Sequence, residues 1–280
     1  MKTKNQYVII TPAHNEENYI DETIRSVIHQ TVKPLKWIIV NDNSTDKTKK
    51  IIEKYIDKYK WIEVIDSTQP HEWDVGGKQI KMFYEGYNLV KDLSWDIIIK
   101  LDADIKFDSD YFERLFKEFD NDKKLGIISG CTDEKDLKYF HVRGASKIYR
   151  KACFSEIHLI PVYGWDSIDE VTALMKGWKT KQFNVPFIHL KNDSVDGLKR
   201  RYNEGKTMYT IGSSFLRVMY TTVKKTIQKP FIVGGFYFFI GYVYGFLFLK
   251  RPVSKEFILF LRRIERDIGK SKLEGLFCRS

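Results

Sequence analysis

The sequence predicts an α/β fold, a doubly wound, mostly parallel sheet with helices on both faces, followed by a C-terminal helical tail of different character. Three observations carry that expectation. Ile- and Val-rich runs of four to six residues alternate with longer stretches whose apolar residues recur at helical spacing, the pattern of βαβ units. Polar and acidic residues follow these runs at their carboxyl ends, where open parallel sheets bind ligands. Charge divides the chain: from Lys191 onward there are 18 Lys and Arg against 7 Asp and Glu, whereas the first 190 residues hold 29 against 30.

Residues 7–11, Tyr-Val-Ile-Ile-Thr, read as the first strand. Asn18 offers a helix cap, and Ile20, Ile24, Val27 and Ile28 then lie on one face up to Gln30. Residues 37–40 form the second strand and end at Asn41-Asp42. Asp46 caps a second helix carrying Ile51, Ile52 and Tyr55. Residues 61–65 are the third strand, and residues 78–90 a third helix after the Gly76-Gly77 turn. Residues 96–100 are the fourth strand, closing on Leu101-Asp102-Ala103-Asp104. Crossovers of one hand put all strand carboxyl ends on one rim, so Thr11, Asp42, Asp102 and Asp104 are expected to converge. After residue 105 the pattern loosens. Residues 126–129 and 141–145 read as strands of a mixed second half, residues 169–176 as a helix stopped by Gly177, and residues 188–190 as a last short strand.

Composition narrows the class. A 280-residue chain that is 43% hydrophobic can bury a core of one domain with an appendage. Cys131, Cys153 and Cys278 are odd in number and far apart, which argues against a disulfide scaffold or zinc site and for a reducing compartment. The first twenty residues show no secretory pattern. Residues 230–249 are twenty uncharged residues, flanked by Lys224, Lys225 and Lys229 before and Lys250-Arg251 after. That length meets the need of a membrane span, and its Tyr and Phe suit an interface. The basic tail therefore points to an anionic membrane surface and not to nucleic acid. Pro230 and the glycines at 234, 235, 241 and 245 weaken a continuous helix. Residues 254–268 add an apolar stripe of Phe257, Ile258, Phe260, Leu261 and Ile264 beside arginines, the make-up of an interfacial helix. Monotopic attachment at the cytoplasmic face is expected over a full span.

The acidic pair Asp102 and Asp104 suits Mg²⁺ or Mn²⁺, which commonly takes further ligands from a substrate's phosphates. Asp42 can accept hydrogen bonds from a base NH or a ribose hydroxyl, or act as a turn residue. Pro12 and Asn15 are turn formers as well as candidate ligand contacts. Lys78 reads either as a phosphate contact or as a solvated helix start.

Thr11-Pro12-Ala13-His14-Asn15-Glu16-Glu17, Val40-Asn41-Asp42-Asn43-Ser44-Thr45-Asp46 and Leu101-Asp102-Ala103-Asp104 together resemble the family 2 glycosyltransferases, which have the GT-A fold. The resemblance covers roughly residues 5–190. Gly164-Trp165-Asp166 extends it: the family commonly has Glu-Asp here with Gly about eleven residues after the Asp, and Asp166 and Gly177 keep that spacing, although Trp165 replaces the Glu. The resemblance implies a nucleotide-sugar-binding half (residues 1–105), an acceptor-binding half of the same domain (106–195) and a basic, apolar membrane-associated region (196–280). It implies metal-dependent, inverting transfer from a UDP- or GDP-sugar to a hydroxyl or phosphate acceptor, lipid-linked or a cell-surface glycan precursor. Implied donor contacts are Thr11, Pro12, Ala13, Asn15, Glu16, Asp42, Lys78 and Asp102.

Asp104 is the implied direct metal ligand, with Asp102 on the ribose or a metal-bound water. His189 either completes the metal shell or is structural. Asp166 is the implied general base, with Asp169 as a neighbouring carboxylate able to raise its pKa. Arg200, Arg201 and Lys206 clamp a diphosphate or meet lipid headgroups. Two other readings compete. A sugar nucleotidyltransferase usually has an early Gly-rich phosphate loop, and residues 11–17 have no glycine. A non-catalytic membrane adaptor would have no need of all these carboxylates.

Overall fold

The computed structural model describes residues 5–70, 77–132, 142, 144–191 and 197–277, residues 269–277 as backbone only. The chain opens with β1 (Tyr7–Ala13), α1 (Ile20–Ile28), β2 (Lys36–Asn41), α2 (Thr48–Ile56), β3 (Ile62–Asp66) and α3 (Gly77–Val90). Next come β4 (Ile97–Leu101), β5 (Ile105–Phe107), α4 (Tyr111–Asn121), β6 (Leu125–Cys131), β7 (Ser146–Arg150) and α5 (Lys151–Glu156). The last elements are α6 (Trp165–Met175), β8 (Lys179–His189), α7 (Gly197–Thr210), α8 (Phe215–Thr226), α9 (Val233–Phe248) and α10 (Lys255–Phe277).

The strands form one sheet in the order β3-β2-β1-β4-β7-β6-β8-β5. Strands β3, β2, β1 and β4 are parallel neighbours, as the alternation predicts. The second half is mixed: β7 is antiparallel to β4 and β6, β5 is antiparallel to β8, and β6 and β8 are parallel. Every residue of β1, β4 and β6 is buried. Strands covered on both faces become continuous apolar runs, which is why they were readable in the sequence. Ile20, Ile24 and Val27 of α1 are buried. Helix α4 buries Phe112, Leu115, Phe116 and Phe119, and Tyr7 meets Phe116 edge-on at a 4.9 Å centroid distance.

Several local expectations are corrected. Asn18 does not cap α1; the Glu16 carbonyl accepts the Tyr19 and Ile20 amides instead. The strand expected at 141–145 begins at Ser146, Gly144 and Ala145 forming a turn, while His141 and Arg143 lie outside the described residues, as does Gly76. The short strand expected at 188–190 is the end of the eleven-residue β8. The helix expected from 169 starts at Trp165, and Gly177 follows it with φ of 84°, a conformation that favours glycine.

The chain divides into two compact units, Met1–Pro161 with Lys176–Asn192, and Val162–Met175 with Asp193–Ser280. The sheet belongs to the first. In the second, α10 packs on α6, and Phe257 and Leu261 are buried. The stripe expected to lie on lipid therefore turns inward along those two residues, because α6 and Gly212, against which Ile258 rests, supply an apolar partner. Helix α9 is 16 residues long, shorter than the uncharged run around it. Among the described residues, no helix is long and apolar enough to cross a membrane.

Candidate active site

The parallel half of the sheet brings three loops to one rim. Ala13 pairs with Asn41 in register, and the Asp42 amide donates to the Ala13 carbonyl at 2.8 Å. His14 Nδ1 lies 2.6 Å from the Asp42 carbonyl oxygen. Asn15 takes a left-handed turn with φ of 53°, a conformation Asn tolerates better than most residues. Its amide donates to Ser44 Oγ at 3.1 Å, and its Oδ1 accepts from the Thr45 amide at 2.8 Å. The Glu16 and Glu17 amides donate to Thr48 Oγ1 and Asp46 Oδ2 at 2.7 and 3.1 Å. Asp46 also accepts from the Thr48 amide at 2.9 Å, but the N-cap position of α2 is Lys47, so Asp46 acts one residue before the cap expected of it. The two loops are stitched into one ledge. Thr11 lies beneath it, fully buried, its hydroxyl accepting from the Trp37 indole at 3.0 Å. Thr11, Pro12 and Ala13 are residues of β1 itself.

Consecutive residues at the start of α3 join this ledge to the fourth strand. Lys78 Nζ pairs with Asp42 at 2.7 Å, and Gln79 Nε2 donates to Asp102 Oδ1 at 3.1 Å. Asp102 also pairs with Lys100, whose side chain is 1% exposed and whose ammonium donates to the Gly144 carbonyl at 3.2 Å. Burial raises the Asp102 pKa, with Asp104 adding to the rise and Lys100 opposing it. The register Ile105↔His189 between β5 and β8 sets His189 beside Asp104, Nδ1 to Oδ2 4.0 Å. Glu16 faces the same carboxylates. Its Oε1 accepts from Lys191 at 2.8 Å, while its Oε2 is buried without a hydrogen-bond partner among the described residues. Burial raises Glu16, Asp104 and Asp102 add to the rise, and Lys191 opposes it.

This geometry fits Mg²⁺ or Mn²⁺. Asp104 offers hard oxygens, His189 an imidazole, and the orphaned Glu16 oxygen marks an excess of negative charge at the rim. No group of three His, Cys, Asp or Glu forms a cage among the described residues. These ions commonly bind through one or two carboxylates, with substrate phosphates and water completing the shell. Asp102, held by a buried ammonium and an amide, is the less free of the two aspartates.

Asp166 stands in the second unit, in the first turn of α6 and half-buried, with Asp169 almost wholly buried one turn on. Burial raises the nearby Tyr163 phenol, the charges of Glu204 and Asp166 add to the rise, and Arg200 opposes it. Arg201 and Lys225 both pair with Glu204, at 3.3 and 2.5 Å. Lys206 lies over the rings of Tyr202 and Tyr244. Sequence reasoning missed Gln79, Lys100 and Lys191. A lone lysine inside the apolar run of β4, two residues before an aspartate, was the available signal for Lys100; Gln79 and Lys191 had none.

The chain matches the family model for Glycosyl transferase family 2 over residues 8–168. It is 24% identical to Glycosyltransferase GlyA of Streptococcus pneumoniae over 192 residues, 65% of this chain. The matched stretch spans only 26% of that relative's length. Among solved structures, mannosyltransferase PcManGT from Pyrobaculum calidifontis, in complex with GDP-Man and Mn²⁺, has a TM-score of 0.63 at 12% identity, covering 87% of both chains. S. aureus TarS 1-349 in complex with UDP has a TM-score of 0.54 at 15% identity, covering 80% of this chain and 76% of that one. These structural likenesses establish the fold, which is of the GT-A type. With the family match running over more than half its length, from the first strand into α6, the chain belongs to glycosyl transferase family 2.

Proposed function

We propose that the protein is a metal-dependent, inverting glycosyltransferase that moves a sugar from a UDP- or GDP-sugar to a hydroxyl or phosphate acceptor, lipid-linked or a surface-glycan precursor. The observation that carries this reading is the meeting of Asp102, Asp104, Glu16 and His189 on the rim that also holds Asp42 and Lys78. Asp42 and Lys78 receive the nucleoside, Asp42 as acceptor for base or ribose donors. Lys100 and Gln79 hold Asp102 toward the ribose. Asp104 and His189 hold Mg²⁺ or Mn²⁺. The ion, when bound, supplies positive charge that stabilises the departing diphosphate.

Transfer is a single displacement at the anomeric carbon. The acceptor oxygen forms its bond there as the bond to the diphosphate oxygen breaks, and the acceptor proton passes to Asp166. One displacement inverts the configuration. Proximity supplies the rest, since little covalent chemistry is asked of the protein. The acidic excess at the rim and the Mn²⁺ in the PcManGT complex support the metal assignment by analogy.

A panel of UDP- and GDP-sugars, each with Mn²⁺ or Mg²⁺ and scored for nucleoside diphosphate release, tests the reading. At least one donor should be consumed only with the cation, and excess EDTA should abolish release. Full turnover in EDTA would overturn the metal assignment, and no turnover with any nucleotide sugar, with or without lipid acceptor, would overturn the donor class.

A further inference from the structure

We propose that the outer faces of α8 and α9 form a docking surface for an anionic phospholipid membrane. This inference rests on the second unit alone, independently of the donor reading. Helix α9 has its residue sizes reversed relative to a water-facing helix. Its inward face carries Gly234, Phe238, Gly241 and Gly245, all buried. Helices α7 and α9 approach so closely that a Cβ on Gly241 would fall 1.9 Å from the Tyr202 carbonyl oxygen. A Cβ on Gly205 would fall 1.9 Å from that of Phe238. Small residues at a helix contact and large apolar ones facing outward is the arrangement of helices in lipid. The outward row of α9 includes Phe236, Ile240 and Leu247, with Phe236 61% and Leu247 62% exposed.

Helix α8, which packs on α9, adds a second outward apolar row. Leu216, Tyr220, Val223 and Ile227 follow at intervals of three and four residues, and Leu216 is 82% exposed. This face is not a frayed end. Ser214 caps α8 through the Arg217 amide, and the Ser214 amide donates to Glu265 of α10 at 2.9 Å. The glycines that weaken a spanning helix on sequence grounds are thus the contact surface of a fixed helix pair.

Charge selects the occupant. From Gly205 to Lys255 the chain has eight Lys and Arg and no Asp or Glu. Lys224, Lys229 and Lys250 are exposed at the ends of the two apolar rows, and Arg217 lies over the Tyr220 ring. Aromatic and aliphatic side chains entering the interface, with cations at headgroup level, are the recognition chemistry of an anionic lipid surface. An apolar surface of this extent exposed to water alone is unusual for a soluble protein.

Vesicle flotation of the full chain tests this without using any donor. Wild type should float with phosphatidylcholine vesicles doped with phosphatidylglycerol and bind neutral phosphatidylcholine vesicles more weakly. The paired variants Leu216→Ser with Val223→Ser, and Phe236→Ser with Leu247→Ser, should each lower apparent affinity about tenfold or more, with circular dichroism unchanged. Absence of flotation, or flotation unaffected by both pairs, would overturn the proposal. So would a lipid-free dimer in light scattering that the serine pairs convert to monomer, which would make the face a contact between two copies.

Discussion

The two compact units treat charge in opposite ways. In the first, ionic groups are drawn to one rim and held: Lys78 on Asp42, Lys100 on Asp102, Lys191 on Glu16. One buried oxygen of Glu16 has no hydrogen-bond partner among the described residues, the mark of a site short of positive charge. In the second, acids are absent over a long stretch, cations stand at the surface, and large apolar side chains face outward. Burial in the first unit makes polar groups costly unless paired, so those present are informative about chemistry. Exposure in the second makes the apolar groups the informative ones. One unit is thus read by its buried charges and the other by its exposed hydrocarbon.

The largest expected effect is at the proposed general base in the second unit. Asp166→Asn keeps size and hydrogen bonding but removes the proton acceptor, so turnover should fall roughly 10²–10⁴-fold while donor binding survives. Isothermal titration with nucleoside diphosphate, beside steady-state rates, checks both halves of that statement. A crippled Asp169→Asn enzyme of unchanged fold beside a near wild-type Asp166→Asn would move the base to Asp169. Asp104→Ala in the first unit should lower turnover by roughly 10²–10³-fold and weaken Mn²⁺ binding, with vesicle flotation untouched. If Asp104→Ala also abolished flotation, the two units would not be separable in function.

How much was legible follows the same division. Strands β1, β2 and β4 were readable because burial on both faces makes them mostly continuous Ile and Val runs, with the polar Thr11, Asn41 and Lys100 near their carboxyl ends, and their ends marked the rim. Strand β7 was not: Ser146 and Lys147 are fully buried in it, and a polar pair reads as a turn. Helix α4 was within reach, since Tyr111, Phe112, Leu115, Phe116 and Phe119 fall at helical spacing, but its aromatic run did not follow the Ile and Val pattern of the earlier elements. Asp42, Asp102 and Asp104 could be named from strand ends, whereas Gln79 and Lys191 depend on which turn of α3 and which end of β8 reaches the rim, a long-range fact. In the second unit the sequence marked the apolar run, but part of the α10 stripe expected on lipid, Phe257 and Leu261, is buried instead. Periodicity locates an amphipathic face and does not say whether α6 or lipid covers it.

Gly241→Ala sharpens the comparison by acting on the second unit alone. The added methyl would meet the Tyr202 backbone, which cannot rotate aside, so α7 and α9 must separate. Overpacking of this kind costs about 1–3 kcal/mol. Hydrogen exchange should show faster exchange in α7 and α9 with β1, β2 and β4 unchanged. Uniform loss of protection in the sheet as well would show that the two units unfold as one.

The smallest expected effect is in the ledge of the first unit, at Asp46. Burial pushes the Asp46 pKa up, but the hydrogen bonds from Thr48 and the Glu17 amide outweigh it and hold the carboxyl below its ordinary value. A carboxylate with a depressed folded pKa adds stability that is complete above its unfolded value, near 3.9, and is lost as pH falls through the folded value. Asp46→Ala removes the acceptor of the Thr48 amide and should cost about 1 kcal/mol at neutral pH. Urea unfolding of both proteins across a pH series measures the difference directly. The gap should be constant above about pH 5 and narrow at lower pH as wild-type Asp46 takes up its proton. A gap that widened toward acid would mean that the carboxylate is destabilising in the fold and that the neutral hydrogen bonds of Asn15 and Thr48 hold the two loops without it.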